Sequence, residues 1–206
     1  MLAISLFPLN TVLFPDGHLP LQVFEVRYLD LIKRCIAQDE PFGVVPLLEG
    51  SEVQVPEQEQ VLSSVGTMAR IIDWSAPMPG LLRVSCVGTT RFQVRNAERL
   101  RHGLWVADVD PLDGDRAVPV PEEQRNVADA LGSLIRSLEK KQISTANMHL
   151  APPYRLDDAG WVANRWCELL RLDLRDKQRL LLQDNPVLRL ELIQDLLSEN
   201  GLLTSQ

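Results

Sequence analysis

Apolar and polar positions follow one period in the first part of the chain and another in the last. Leu2–Phe7 alternates weakly and stops at Pro8. Thr11–Phe14 and His18–Phe24 flank Pro15-Asp16-Gly17, where proline presets φ and glycine supplies a positive φ, so two strands joined by a tight turn are expected. Tyr28, Leu31, Ile32, Cys35 and Ile36 then recur at helical spacing with Arg27, Asp30, Lys33 and Arg34 between them, which predicts one amphipathic helix that Pro41 ends. Phe42–Leu48 is a short apolar run, read as a buried strand, and the acidic, Gln-rich stretch from Glu49 to Gln60 reads as a mobile surface loop. Three further strands are expected at Val65–Trp74, Leu81–Val87 and Arg91–Glu98, joined by the loop Ser75–Gly80 and by Gly88-Thr89-Thr90; Leu104–Val109 adds another.

Pro111 to Pro121, rich in Asp, Gly and Pro, reads as a linker. It divides a β-rich lobe, residues 1–118, from a helical lobe, residues 119–206. In the second lobe Val127, Leu131, Leu134, Ile135 and Leu138 form one apolar stripe, with Glu122 and Glu123 before it and Lys140 and Lys141 after it. Acids at the start and bases at the end suit the helix dipole, so a long helix is predicted. Asp158–Leu170, Asp173–Gln183 and Pro186–Glu199 follow as shorter helices, the last with Asn185 as N-cap and Pro186 at its first position. Their apolar faces imply a small bundle.

The chain has 206 residues, 45% of them hydrophobic and 24% charged, with a formal net charge of −7; this is the composition of a folded globular protein. Its three cysteines, Cys35, Cys86 and Cys167, are dispersed and odd in number, which points to a reducing compartment rather than a disulfide scaffold. The N-terminal stretch lacks a basic region and a small-residue cleavage site, and Pro8 and Asn10 interrupt it. A cytoplasmic protein with no membrane segment is expected.

Little in the sequence points to bond-making or bond-breaking. None of the 11 glycines is followed by lysine, so a phosphate-cradling P-loop is missing, and no Gly-x-Gly-x-x-Gly occurs. His18, His102 and His149 are isolated and no Cys-x-x-Cys exists, so no metal or other cofactor is expected. Gly-x-Ser-x-Gly is also absent; a small hydrolase would need Ser or Cys brought beside one of those histidines in space. Cys86, on the apolar face of its strand, reads as a small buried hydrophobe, and Asp108 and Asp110 as a wet sheet face. Arg91, Arg95, Arg99 and Arg101 form the densest basic cluster, yet Glu98 interrupts it and the chain is acidic. That balance argues against nucleic acid as a partner.

Several segments together resemble the N-terminal domain of the Lon protease, the LON domain. They are Phe7-Pro8-Leu9, Val12–Pro15 with Gly17, Leu19-Pro20-Leu21, Phe24-Glu25 with Arg27-Tyr28, Phe42–Val45, Gly66–Ile71, Gly88–Phe92, and towards the end Lys177-Gln178, Leu180–Leu182 and Arg189-Leu190. Val26 departs from the pattern, since many relatives carry proline there. The resemblance implies an α+β fold, with a PUA-like β pseudobarrel containing one helix followed by an α-helical lobe. It also implies a stand-alone, non-catalytic module without the ATPase and protease parts of the full enzyme. Such a module would bind peptide or unfolded protein segments, with a protease or chaperone as the onward partner. A PUA-like RNA-binding module is the alternative.

Peptide binding on such a sheet would use an edge or groove that accepts an extended strand. Trp74 and Met78 flank the Ser75–Gly80 loop, whose two prolines keep it open, and are candidates for contact, the alternative being that both fold back onto the sheet. Phe24, Glu25, Arg27 and Tyr28 at the start of the helix, with Arg91 and Phe92, complete the candidate set; Arg27 would meet a carboxylate or backbone carbonyl of the bound peptide. In the structural alternative, Glu25 favours the helix dipole, Tyr28 enters the core and Arg27 pairs with a neighbouring carboxylate.

Overall fold

A computed structural model describes residues 2–53, 59–143 and 150–203. It divides the chain into two compact units, Met1–Asp113 and Gly114–Gln206. The division, between residues 113 and 114, lies within the Pro111–Pro121 linker. Arg91 explains its place: the Arg91 Nη2 donates to the Asp113 carbonyl at 2.9 Å and the Leu112 N–H to the Arg91 carbonyl at 2.8 Å, which holds the chain to the first unit up to that point.

The first unit contains strands β1 (Leu2–Leu9), β2 (His18–Val23), β3 (Phe42–Glu49), β4 (Val61–Leu62), β5 (Val65–Met78), β6 (Leu81–Arg99) and β7 (Trp105–Pro111), and helix α1 (Val26–Gln38). β1 runs parallel to β3, with Leu6 opposite Gly43, and antiparallel to β7, with Leu2 opposite Val109. β7, β6, β5 and β3 follow in order, so five strands close into a ring, while β2 attaches to β6 and β4 to β3. Every ring strand sends a side chain into one apolar cluster: Ile4 and Leu6, Val45, Met68, Phe92, and Ala107 with Val109. A second cluster includes Tyr28, Leu29, Leu31, Ile32 and Cys35 of α1 with Phe7, Phe42, Leu82, Val84 and Cys86. The spacing of those α1 residues makes a single face, which is why the helix lies on the sheet. Asp39, left-handed at φ 51, closes it two residues before Pro41.

Three local expectations are corrected. Thr11–Phe14 is not a strand. The Leu13 carbonyl accepts from the Thr67 Oγ1 at 2.6 Å and the Phe14 carbonyl from the Gly17 N–H at 3.0 Å, so side chain and turn take the place of a ladder. Within the turn it is Asp16, not Gly17, that has the positive φ, 61°; Asp tolerates that region because its short side chain can bond locally. Gly88-Thr89-Thr90 is no turn either. β6 runs through it unbroken, and an irregularity opposite Thr67 and Ala69 absorbs the extra residues, a bulge that bends the strand. Glycine is needed there for close approach: a Cβ on Gly88 would overlap the Phe14 carbonyl oxygen. Of the expected loop from Glu49 to Gln60, residue 49 ends β3 and residues 54–58 lie outside the described residues.

The second unit contains a 3-10 turn at Glu122–Gln124 and helices α2 (Arg125–Lys140), α3 (Ala159–Leu169), α4 (Leu174–Leu182) and α5 (Pro186–Glu199). Caps set the starts of the last three. The side chains of Asp158, Asp173 and Asn185 accept backbone N–H groups of the first turn, and Pro186 opens α5. Val127, Leu131, Ile135, Val162, Cys167, Leu190 and Ile193 are buried. Two arginines are buried with them. Arg165 pairs with Glu168 at 3.0 Å, and Arg189 holds Asp115 through both oxygens at 2.6 and 3.1 Å, Asn164 Oδ1 at 2.9 Å and the Leu180 carbonyl at 3.0 Å. Among the described residues no helix is long and apolar enough to cross a membrane.

Candidate functional site

The β3–β5 ladder ends where Phe42 meets Ala69, so β5 continues from residue 70 to Met78 with β6 as its neighbour on one side and, among the described residues, no strand paired on the other. β2 lies on the far side of β6, from His18 opposite Val87 to Val23 opposite Leu82. These three strands form an arm with β5 as its open edge. The arm ends in a two-residue turn, Pro79-Gly80, with Gly80 at φ 81, the type II arrangement that asks for proline and then glycine. The expected six-residue loop Ser75–Gly80 is therefore shorter than read, because Ser75 pairs with Arg83 and Met78 with Leu81. Pro77 is tolerated since a strand at an edge can dispense with an outward N–H.

Apolar side chains are exposed along this arm: Ile72 at 44%, Trp74 at 51% and Met78 at 59%. Trp74 stands in register with Val84, whose side chain is buried. Paired residues share a face, so Trp74 belongs to the face that α1 covers, at its uncovered margin. Phe24 is exposed at 58% and follows Val23, which pairs with Leu82, so it stands at the tip on the β2 side while Met78 stands there on the β5 side. A groove of about 390 Å³ opens between the tip and α1, lined by Leu29 and Lys33 from the helix and by Ala76–Leu82 from the hairpin.

The remaining candidates are not on this surface. Arg27 is buried at 5% and held by structural contacts: it donates to the Gly103 carbonyl at 2.8 Å and the Glu52 carbonyl at 3.3 Å, pairs with Glu25 at 3.0 Å and lies 4.5 Å from the Tyr28 ring centroid. Glu25 is half-buried beside it. Tyr28 is buried and stacked on Phe7 with centroids 4.1 Å apart; burial above all, against the pull of Arg27, pushes its hydroxyl up to about 12. Arg91 and Phe92 are also buried, Arg91 on Asp113 and Phe92 inside the ring, where it fills the space left by Gly66. A docked segment would have to open the core to touch Arg27, Tyr28, Arg91 or Phe92.

Other groups of chemical interest have structural partners. Arg95 donates to Asp110 at 2.6 Å, and that hydrogen bond first, with the Arg95 charge, holds the Asp110 carboxyl below its usual range. Cys86 and Cys167 are buried thiols pushed up to about 12 by desolvation. A larger groove, about 580 Å³, lies at the other end of α1 beside β1, and its Arg34 already donates to Ser5 Oγ at 2.8 Å. His18 and His102 line neither groove, and His149 lies outside the described residues. Among the described residues no three His, Cys, Asp or Glu side chains gather as a metal site would require.

The family model for the ATP-dependent protease La (LON) substrate-binding domain matches residues 3–199. The chain belongs to this family. Among solved structures, the LON chain is similar to the crystal structure of a Lon N-terminal domain protein from Xanthomonas campestris, with 31% identity and a TM-score of 0.75 over 95% of this chain and 98% of that one. It shares its fold with the N-terminal domain of the Mycobacterium avium complex Lon protease, at 18% identity and a TM-score of 0.61 over 96% of this chain and 98% of that one. Comparison with curated proteins gave no match. The mixed α and β architecture is thus that of Lon N-terminal domains.

The sequence reading missed Ile72, Leu29 and Lys33. Ile72 carried a readable signal, since it shares a segment with Trp74 that runs into a Pro-Gly turn. Leu29 and Lys33 had none, because their place in a groove depends on where the hairpin tip meets the helix.

Proposed function

We propose that this LON domain is a non-catalytic module that binds extended, apolar polypeptide segments on the arm formed by β2, β6 and β5. The open edge of β5 beside exposed Ile72, Trp74 and Met78 carries the reading. An unpaired edge offers N–H and C=O groups to a new strand, and apolar side chains next to it add affinity without sequence-specific bonds. The family's description as a substrate-binding domain supports the same reading. Substrates or adaptors would be held here while a separate protease or chaperone acts on them. The reading assigns the protein to the cytoplasm, in keeping with three buried cysteines that form no disulfide.

Phe24, Trp74 and Met78 are the contact residues in this proposal; Arg27, Tyr28, Arg91 and Phe92 hold the scaffold beneath them. Fluorescence anisotropy with labelled, unfolded casein tests it. Binding at tens of micromolar, about the range of weak modules, is expected, with Trp74→Ala weakening it about fivefold or more. No binding by the native chain at such concentrations overturns the proposal.

A further inference from the structure

We propose that the groove between α1 and the arm tip takes the C-terminal residue of a bound polypeptide, an apolar side chain lying among Leu29, Met78 and Leu82 with its α-carboxylate on Lys33 Nζ. This deepens the peptide-binding reading and rests on it. The groove lining is apolar apart from one charged side chain, Lys33. That ammonium makes no hydrogen bond or ion pair with any described residue, although the chain as a whole carries a net charge of −7. In contrast, the arginine of the larger groove is bonded to Ser5, so of the two cations that line these grooves Lys33 is the one without a partner among the described residues.

Charge complementarity sets the sign of the occupant and size sets its kind. At about 390 Å³ the groove is near the small end of the roughly 300–1,000 Å³ that ligand sites span. It takes a residue or two, not a long segment. A chain terminus supplies an apolar side chain and a carboxylate from a single residue. A second copy of this chain is a poorer occupant, since its apolar tip would bring no anion to Lys33. The open β5 edge lies next to the groove in the same hairpin, so the preceding residues of the same ligand can run along it as a strand.

The test uses the full chain and three labelled peptides of one apolar sequence: one ending in Leu with a free carboxylate, its C-terminal amide, and an amide carrying an internal Glu. The free acid should bind about threefold to fivefold more tightly than the plain amide, the size of one solvent-exposed ion pair. Lys33→Gln should bring that ratio close to one, and Lys33→Glu should invert it. Lys33 is exposed on the helix, so neither variant should change the thermal unfolding curve, which checks that the fold is kept. Met78→Ser should weaken the acid and the amide alike. A ratio near one in the native chain, with Trp74→Ala still weakening both peptides, overturns the carboxylate inference and leaves the peptide-binding reading standing. Binding of the internal-Glu amide as tight as the free acid overturns the terminal assignment. Failure of all three peptides and of casein overturns both.

Discussion

Tyr28 carries its hydroxyl into the interior, 3% exposed, with no hydrogen-bond partner among the described residues. An unmet buried hydroxyl costs about 1–3 kcal/mol. Tyr28→Phe keeps the stack on Phe7 and the Arg27 guanidinium over the ring, so it should raise stability by about 1 kcal/mol in urea unfolding at pH 8. The phenol also makes the fold sensitive to base. Its titration point is raised from 10.0 to about 12 on folding, so its neutral form contributes stability that is complete below pH 10 and lost as the pH climbs through 12. The contribution is on the order of 2 kcal/mol. The phenylalanine variant should therefore show a shallower loss between pH 10 and 12, with a remaining decline that starts near pH 9 from the Cys86 and Cys167 thiols, raised from 9.0 to about 12. Arg27→Ala should act in the opposite direction, destabilising by about 2–4 kcal/mol because it strips the Gly103 carbonyl of its donor and leaves Glu25 without its cation; a loss below 1 kcal/mol would favour the peptide-contact role over this structural one. The sequence could not place this side chain. An arginine at the start of an amphipathic helix is ordinarily wet, and the carbonyls that bury it lie 76 and 25 residues away.

The elements of the arm were partly legible. Period-2 runs located β2, β5 and the first half of β6, and the Pro79-Gly80 turn follows from residue chemistry alone. Their extent was not. Gly88 and the two threonines after it look like a turn, but the backbone continues because the Gly88 N–H donates to the Gly17 carbonyl and the Gly88 carbonyl accepts from the Asp16 N–H, both at 2.8–2.9 Å. Those bonds replace the ones a turn would have made, and they depend on a loop some seventy residues earlier, beyond the reach of local pattern. The helices of the second unit were more readable, since Asp158, Asp173 and Asn185 cap them from within their own segments. An open β5 edge makes a prediction specific to an element rather than a side chain. A peptide that binds by adding a strand uses its own N–H groups, so N-methylation at alternate residues should weaken binding about tenfold on one set of positions and little on the other. Equal effects from both sets would mean that the side chains of Ile72, Trp74 and Met78 hold the ligand without the edge.

At the scale of the whole molecule, charge separates polypeptide from nucleic acid as the ligand. Affinity for a phosphate backbone comes from several basic groups acting together, and it falls steeply with salt as counterions are released. Folding thins the basic cluster that the sequence suggested: Arg91 is buried on Asp113, and Arg95, though exposed, is paired with Asp110, which leaves Arg99 and Arg101. What remains lies on a chain of net charge −7, whose field repels a polyanion at long range. A single-stranded RNA oligonucleotide should thus show no mobility shift at 150 mM salt and about the micromolar concentrations at which casein is titrated. Casein binding itself should change less than about threefold between 50 and 300 mM salt, because apolar side chains and backbone carry it, and the exposed charges of β5 and β6 along the arm, Arg70, Asp73 and Arg83, are few and of both signs. If RNA were retained instead, with affinity dropping by orders of magnitude over that salt range, the alternative role as an RNA-binding module would take the place of the polypeptide reading.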